Sequence, residues 1–402
     1  MTNIDAFRTV HQLDGVSVRP SSWLPVMLFA LVPGVSAQSI TLPYKLPELE
    51  RRAAQDSCDA VTQYQLGLGY WNEKRWDDAE RALRRAVQVE PRYPHAWLAL
   101  AWLMYARRPK LWKQQMKKGL PDSLVAVIQE SERLQRRAFL IDPLVDLKVM
   151  STVVPHEGGR RVTYGNYVLV LSNPFDAFRD GNYSVAYSLL QNLIYRYSAD
   201  SVPPFVLWYA ALSGAHLGYY DAAISDLAAL VLRAEHLEQS DTVLHVPLRT
   251  NDYRYVLALL ELDNNKPADA ITLFHKVIEN DVGFYMAHVK LAQMYDAYGM
   301  WKEATAEGRL AVEANPDDPS LLTELGVILR QADSLSESEA VLRQALDANP
   351  HDPRPPYYLG LTELQMGRTT EARAAFVHFL AMAPSRYASQ ITEVQGYLAK
   401  LQ

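Results

Sequence analysis

Three consecutive segments decide how this chain is read: YMAHVKLAQMYDAYGMWKEATAEGRLAVEANP (residues 285–316), DDPSLLTELGVILRQADSLSESEAVLRQALDANP (317–350) and HDPRPPYYLGLTELQMGRTTEARAAFVHFLAMAP (351–384). They close at Pro316, Pro350 and Pro384, each 34 residues after the last. Leu291, Leu325 and Leu359 are each followed by a tiny residue (Ala292, Gly326, Gly360). Thirteen positions after each leucine stand Ala304, Ser338 and Ala372, and seven further on Ala311, Ala345 and Phe379. A fixed period of this length marks a stacked repeat array.

The spacing predicts one helix pair per period. Leu325 and Leu329 lie four apart on one helical face, with Gly326 beside them where a second helix must pass closely. Ser334 or Ser336 is placed to cap that second helix, whose inward residues are Leu335, Val341, Leu342 and Ala345. Asn349-Pro350 ends it, because proline lacks an N–H and biases the preceding residue out of the helical region. One pair cannot bury its apolar face alone, so neighbours must stack.

These offsets resemble the tetratricopeptide repeat (TPR) family, with small residues at three crossings, large apolar ones between them and proline last. The chain departs from that pattern at Ser338 for alanine, Gly308 for a bulky residue and Phe379 for the third small one. The resemblance spans about residues 60–143 and 204–384. It implies an all-α fold, a right-handed α-solenoid of helix pairs, and a role in protein–protein interaction.

Composition bounds the rest. The 402 residues are 49% hydrophobic and 21% charged, enough for a long continuous core and too apolar for disorder. The net charge of −6 is uneven: from Asn251 onward 13 Lys/Arg face 21 Asp/Glu, or −8, leaving +2 for the first 250 residues. An acidic C-terminal half argues against nucleic acid as a ligand. The sole cysteine, Cys58, excludes internal disulfides and Cys-rich zinc sites, and suits an oxidising compartment.

At the N-terminus, WLPVMLFALVPGV (residues 23–35) follows Arg19 and precedes Val35-Ser36-Ala37, which reads as a secretory signal cut after Ala37. The run is short for a membrane span, which needs about 20 residues. No second apolar span follows, so the mature chain is expected to be soluble outside the cytoplasmic membrane. The 18 residues ahead of Arg19 are unusual for a signal, as though Val16 or Val18 were the true start.

A linker and leading helix fill 38–58, with Leu46–Gln55 helical, and an N-terminal repeat pair fills 59–143. In its first copy Leu66, Gly67, Tyr70, Trp76, Ala79, Leu83, Ala86 and Pro91 match every family position. The second copy carries an insertion near Arg107–Asp122. Period is lost over 144–204, an irregular repeat in which Val162–Leu171 has strand character and Asn182–Tyr197 is helical. A C-terminal array occupies 205–384, and 385–402 is an amphipathic helix of the kind that caps a solenoid's last face.

No catalytic constellation emerges. The ten histidines are scattered singly without HExxH spacing, and neither a phosphate loop nor a GxSxG elbow occurs. No cofactor and no metal site is expected. An enzyme would need a site in the 144–204 insertion, near His156, Glu157, Arg160 and Arg161.

Two features bear on binding. By the resemblance, the first helix of each pair lines a concave surface. The positions facing it are Tyr64, Leu68 and Trp71, then Leu98, Trp102 and Tyr105, continued by Phe205, Trp208 and Leu212. Burying one large apolar side chain stabilises by about 1.5–3 kcal/mol, so such a wall needs a cover. Either an extended or helical partner segment lies there, or the 144–204 insertion does. In the last three copies the same positions are mixed: Gln293, Asp296, Thr323, Arg330, Arg354 and Tyr357. The second feature is a basic loop of Arg107, Arg108, Lys110, Lys113, Lys117 and Lys118 with Trp112, suited to an anionic membrane surface at about 1 kcal/mol per charge, or else a solvated insertion.

The sequence thus reads as an exported scaffold that binds a protein partner, with a peripheral subunit of a membrane complex, docked through the basic loop, as the alternative. Sequencing the N-terminus of the exported protein tests the first step. It should begin near Gln38, and a mature chain retaining residues 23–35 would remove the signal reading.

Overall fold

Asp59 starts the first repeat by accepting backbone hydrogen bonds from Val61 and Thr62 at 3.3 and 3.2 Å, satisfying donors that a helix start leaves bare. The computed structural model describes residues 40, 42–107, 122–145, 161–164, 167–170, 172–239 and 249–401. Within them a leading helix, α1 (Leu46–Gln55), precedes the first pair, α2 (Ala60–Asn72) and α3 (Trp76–Val89), and the second, α4 (Pro94–Ala106) and α5 (Asp122–Ile141). Two short strands, β1 (Arg161–Tyr164) and β2 (Tyr167–Val170), pair antiparallel from Arg161 opposite Val170 to Tyr164 opposite Tyr167. The strand character of this stretch is therefore a hairpin.

Helix pairing resumes with α6 (Ser172–Arg179) and α7 (Tyr183–Tyr197), then α8 (Pro204–His216) and α9 (Tyr220–Gln239). Four more pairs follow: α10 (Thr250–Asp263) and α11 (Pro267–Asn280), α12 (Tyr285–Ala297) and α13 (Trp301–Ala314), α14 (Pro319–Gln331) and α15 (Leu335–Ala348), α16 (Arg354–Gln365) and α17 (Thr369–Met382). A final helix, α18 (Ala388–Lys400), closes the array. The signal-like segment lies outside the described residues, and no described helix is long and apolar enough to cross a membrane.

Seven of the eight described pairs turn in the same way. Two residues past the first helix the backbone enters the left-handed region, at Lys74, Gly181, Gly218, Asn265, Gly299, Asp333 and Gly367, with φ between 58° and 76°. The next residue's N–H then reaches back to the carbonyl five positions earlier, as in Ser334 to Leu329 at 2.9 Å and Met300 to Tyr295 at 2.8 Å. This Schellman closure satisfies carbonyls that the helix end would orphan. It also corrects the capping expectation: Ser334 occupies the N-cap of α15, but its side chain makes no capping bond.

The departures from the family pattern now have physical reasons. Ser338 is fully buried, and its hydroxyl donates to the Gly326 carbonyl at 2.7 Å, tying α15 to α14. Ser131 plays the same part in the second pair, donating to Ala101 at 2.9 Å. Gly308 faces Leu325, whose Cδ1 would lie 3.2 Å from an added Cβ, so a larger residue there requires Leu325 to shift. Phe379 is fully buried in the cluster that α18 covers. Val394 of α18 joins its cluster, with Ile391, Tyr397 and Leu398 packed against it.

The chain forms two compact units. Of the described residues, one comprises 122–129, 161–164, 167–170, 172–239 and 249–253; the other joins 40, 42–107 and 130–145 to 254–401. Within the second, the N-terminal repeats are grouped with the C-terminal array.

Candidate partner-binding faces

The aromatic wall is core. Tyr64, Leu68, Trp71, Leu98, Trp102 and Trp208 are all 8% exposed or less, while the Tyr105 side chain lies outside the described residues. Tyr64 meets Tyr93 edge-on at 5.4 Å, Trp71 meets Trp76 at 6.3 Å, and Trp208 packs on Tyr253 at 5.4 Å. Phe205 is covered from within the 144–204 stretch, since Phe175 of α6 lies 5.3 Å from it. The 144–204 stretch reaches Phe205, whereas Tyr64 and Trp71 are covered by Tyr93 and Trp76 of the N-terminal repeats themselves.

The basic loop divides. The Arg107 guanidinium donates to Asp77 and, at 2.5 Å, to Glu80 of α3. Arg108, Lys110, Trp112, Lys113, Lys117 and Lys118 lie outside the described residues, as do His156, Glu157 and Arg160. Of Arg161 only the backbone, in β1, is described. Among the described residues no group of three or more His, Cys, Asp and Glu is placed to hold a metal ion. Cys58 is a half-buried free thiol before α2. His288 is structural: its ring bonds Glu307 at 2.6 Å and the Val282 carbonyl at 3.0 Å. Burial opposes its charge, but Glu307 holds its pKa above the ordinary histidine value.

What the sequence reading missed is a polar seam inside the second unit. Arg92, just past Pro91 of the first repeat, donates through Nη1 to Glu324 of α14, 232 positions away. Arg137 of α5 donates through Nη2 to Asp318 at 3.2 Å, and the Asn349 amide donates to the Gln88 carbonyl at 2.7 Å. Arg386, beyond α17, reaches back to Asp59 at 3.2 Å and Glu90 at 3.1 Å. These contacts bring the end of α3 and the flank of α5 onto the first helices of the C-terminal array.

The mixed polar positions of that array are absorbed in the same region. Gln293 donates to Glu324 at 3.1 Å, and Thr323 is buried. Arg354 holds Asp352 with a two-pronged fork of 2.6–3.0 Å, and the Tyr357 hydroxyl donates to Glu393 of α18 at 2.7 Å. Satisfaction is incomplete at the centre. Nε and Nη2 of Arg92, Nε of Arg137 and the Tyr255 hydroxyl are buried without hydrogen-bond partners. Burial, reinforced by Arg92, pushes the Lys290 amine below its usual pKa. One signal was present in the sequence, the opposite charge of the two halves; nothing indicated which residues would meet.

Tetratricopeptide repeat profiles match residues 60–103, 255–319 and 309–353. No curated protein matches the chain significantly. Similar solved structures include the C-terminal part of a TPR repeat-containing protein from Cytophaga hutchinsonii, at 14% identity and TM-score 0.46, covering 57% of this chain and 86% of that one. MamA from Desulfovibrio magneticus RS-1 shares 17% identity at TM-score 0.38, covering 45% and 94%. A thermophilic TPR protein of Thermus thermophilus shares 20% at 0.35, covering 49% and 99%. The assignment rests on the profiles and the repeat geometry.

If the wall is core, Trp71→Ala and Trp102→Ala should each cost about 3–5 kcal/mol in urea unfolding. Unchanged stability would return both tryptophans to an open face. Matching profiles, paired helices and the closing cap together make this chain a member of the tetratricopeptide repeat family, whose arrays serve as protein-interaction scaffolds.

Proposed function

We propose that this protein is an exported, non-catalytic scaffold that holds a protein partner on the inner face of its C-terminal repeats. One observation carries the reading: Gln293 of α12 is exposed and Glu324 of α14 half-buried beside it, on a stack of uniformly built pairs. A stiff array with recognition groups at fixed spacing gives specificity to a binding surface, since the groups need no ordering on contact. The signal-like segment at 23–37 supports export.

The second reading, a peripheral subunit docked on an anionic membrane, is supported by the run of basic residues around Trp112. Site-specific photocrosslinkers at Gln293 and Lys113, incorporated in cells, separate the two. The scaffold reading expects a discrete protein adduct from Gln293 and none from Lys113. Lipid or membrane-protein adducts from Lys113 alone would favour docking, and no adduct from either position would remove both.

A further inference from the structure

We propose that His288 is a pH-sensitive latch: its doubly protonated ring ties the turn between α11 and α12 to α13, and loss of one ring proton frees the turn. The latch is independent of the scaffold reading and operates whether or not the array carries a partner.

The geometry requires two donors. Nδ1 lies 2.6 Å from a carboxylate oxygen of Glu307 on α13, and Nε2 lies 3.0 Å from the carbonyl oxygen of Val282 in the turn. A carbonyl only accepts, so Nε2 carries a proton. A second proton lies between Nδ1 and Glu307, and it belongs on the imidazole, the stronger base of the two. The ring is 1% exposed, so water does not stand in for either partner.

Glu307 is the charged group that faces the ring. Asp281, in the same turn, is engaged with the Gly283 N–H at 3.0 Å, and His275 of α11 with the Tyr295 hydroxyl at 3.0 Å. On α14, Asp318 and Glu324 take Arg137 and Arg92. Lys290, two positions further along α12, lies in the field of Arg92 and Glu324 instead.

A neutral imidazole has one donor for these two acceptors. Glu307 keeps it, because a charge-assisted hydrogen bond is roughly twice as strong as a neutral one. The Val282 carbonyl then turns to water, from a residue that is 68% exposed. Release bears on stacking, for the same turn carries Phe284, a buried ring 5.2 Å from Tyr255 of α10 in the preceding pair. Burial opposes the charge on His288, yet the bonds to Glu307 and Val282 raise its pKa above the ordinary 6.5. A raised pKa sets the sign: the latch is closed below 6.5 and opens as pH rises through the higher value.

Hydrogen exchange on the full chain, corrected for intrinsic rates and read from about pH 5 to about pH 9, tests this across the histidine range. Protection over residues 281–287 should fall with rising pH, by about tenfold for each unit between the latched and free pKa values, while 321–329 in α14 holds steady. Glu307→Gln should move that fall to lower pH, and His288→Gln should abolish it. A turn whose protection ignores pH in wild type, or a midpoint unmoved by Glu307→Gln, would overturn the latch. Should the variants fail to fold, nitrogen-15 spectra of histidine-labelled wild type decide. They should show a buried imidazolium with two slowly exchanging N–H protons at acidic pH, one of which is lost on titration, and the absence of such a ring would overturn the proposal.

Discussion

Everything in this chain depends on how closely the two helices of a pair can approach. At Gly326 a Cβ would sit 2.6 Å from Cγ of Leu342, and at Gly67 it would sit 2.7 Å from Cγ of Leu83. Real atoms do not approach so closely, so these crossings admit a leucine on one helix only because the other has no side chain there. The Schellman turn fixes the distance along the chain at which the second helix begins. Together the crossing and the turn make each pair a rigid block, and rigid blocks stack.

Stacking alone gives an open array with an inner face and two ends. Here α1 covers the first end, where Leu49 and Ala53 join Leu66 and Ala82, and α18 covers the last. The inner face of the second unit is treated differently, for it receives Arg92 and Arg137 from repeats about two hundred positions earlier. An ion pair at partial exposure contributes little by itself. Several together fix which surfaces meet. Apolar burial holds the pairs; the seam holds the arrangement.

The fold was legible because its cause is local. The crossings recur within one period, so Leu325, Gly326, Ser338 and Ala345 announce a helix pair without help from the rest of the chain. The final helix was legible too, because Ile391, Val394, Leu398 and Leu401 lie on one helical face. The site was not. Tyr64, Trp71 and Trp102 fall at positions that face a groove in an isolated array, and their family offsets carry no word of what lies above them. The seam joins residues 181 to 327 positions apart, far beyond any period. Arg92 looks like an ordinary residue after a helix end, and Glu324 like a solvated one on a helix flank. Ser334 misled for a related reason: it has the right identity for a cap, but the backbone closure already satisfies the turn.

The central claim is that the N-terminal repeats lie on the C-terminal array. Nitroxide labels at Gln88 and Asp347, in a chain whose Cys58 is replaced by serine, test it through their separation by pulsed electron resonance. Asn349 donates to the Gln88 carbonyl at 2.7 Å, so the account predicts a single short, narrow distance, broadening when Arg92, Arg137 and Arg386 are neutralised together. A long or broad distribution in the otherwise unaltered chain would contradict it.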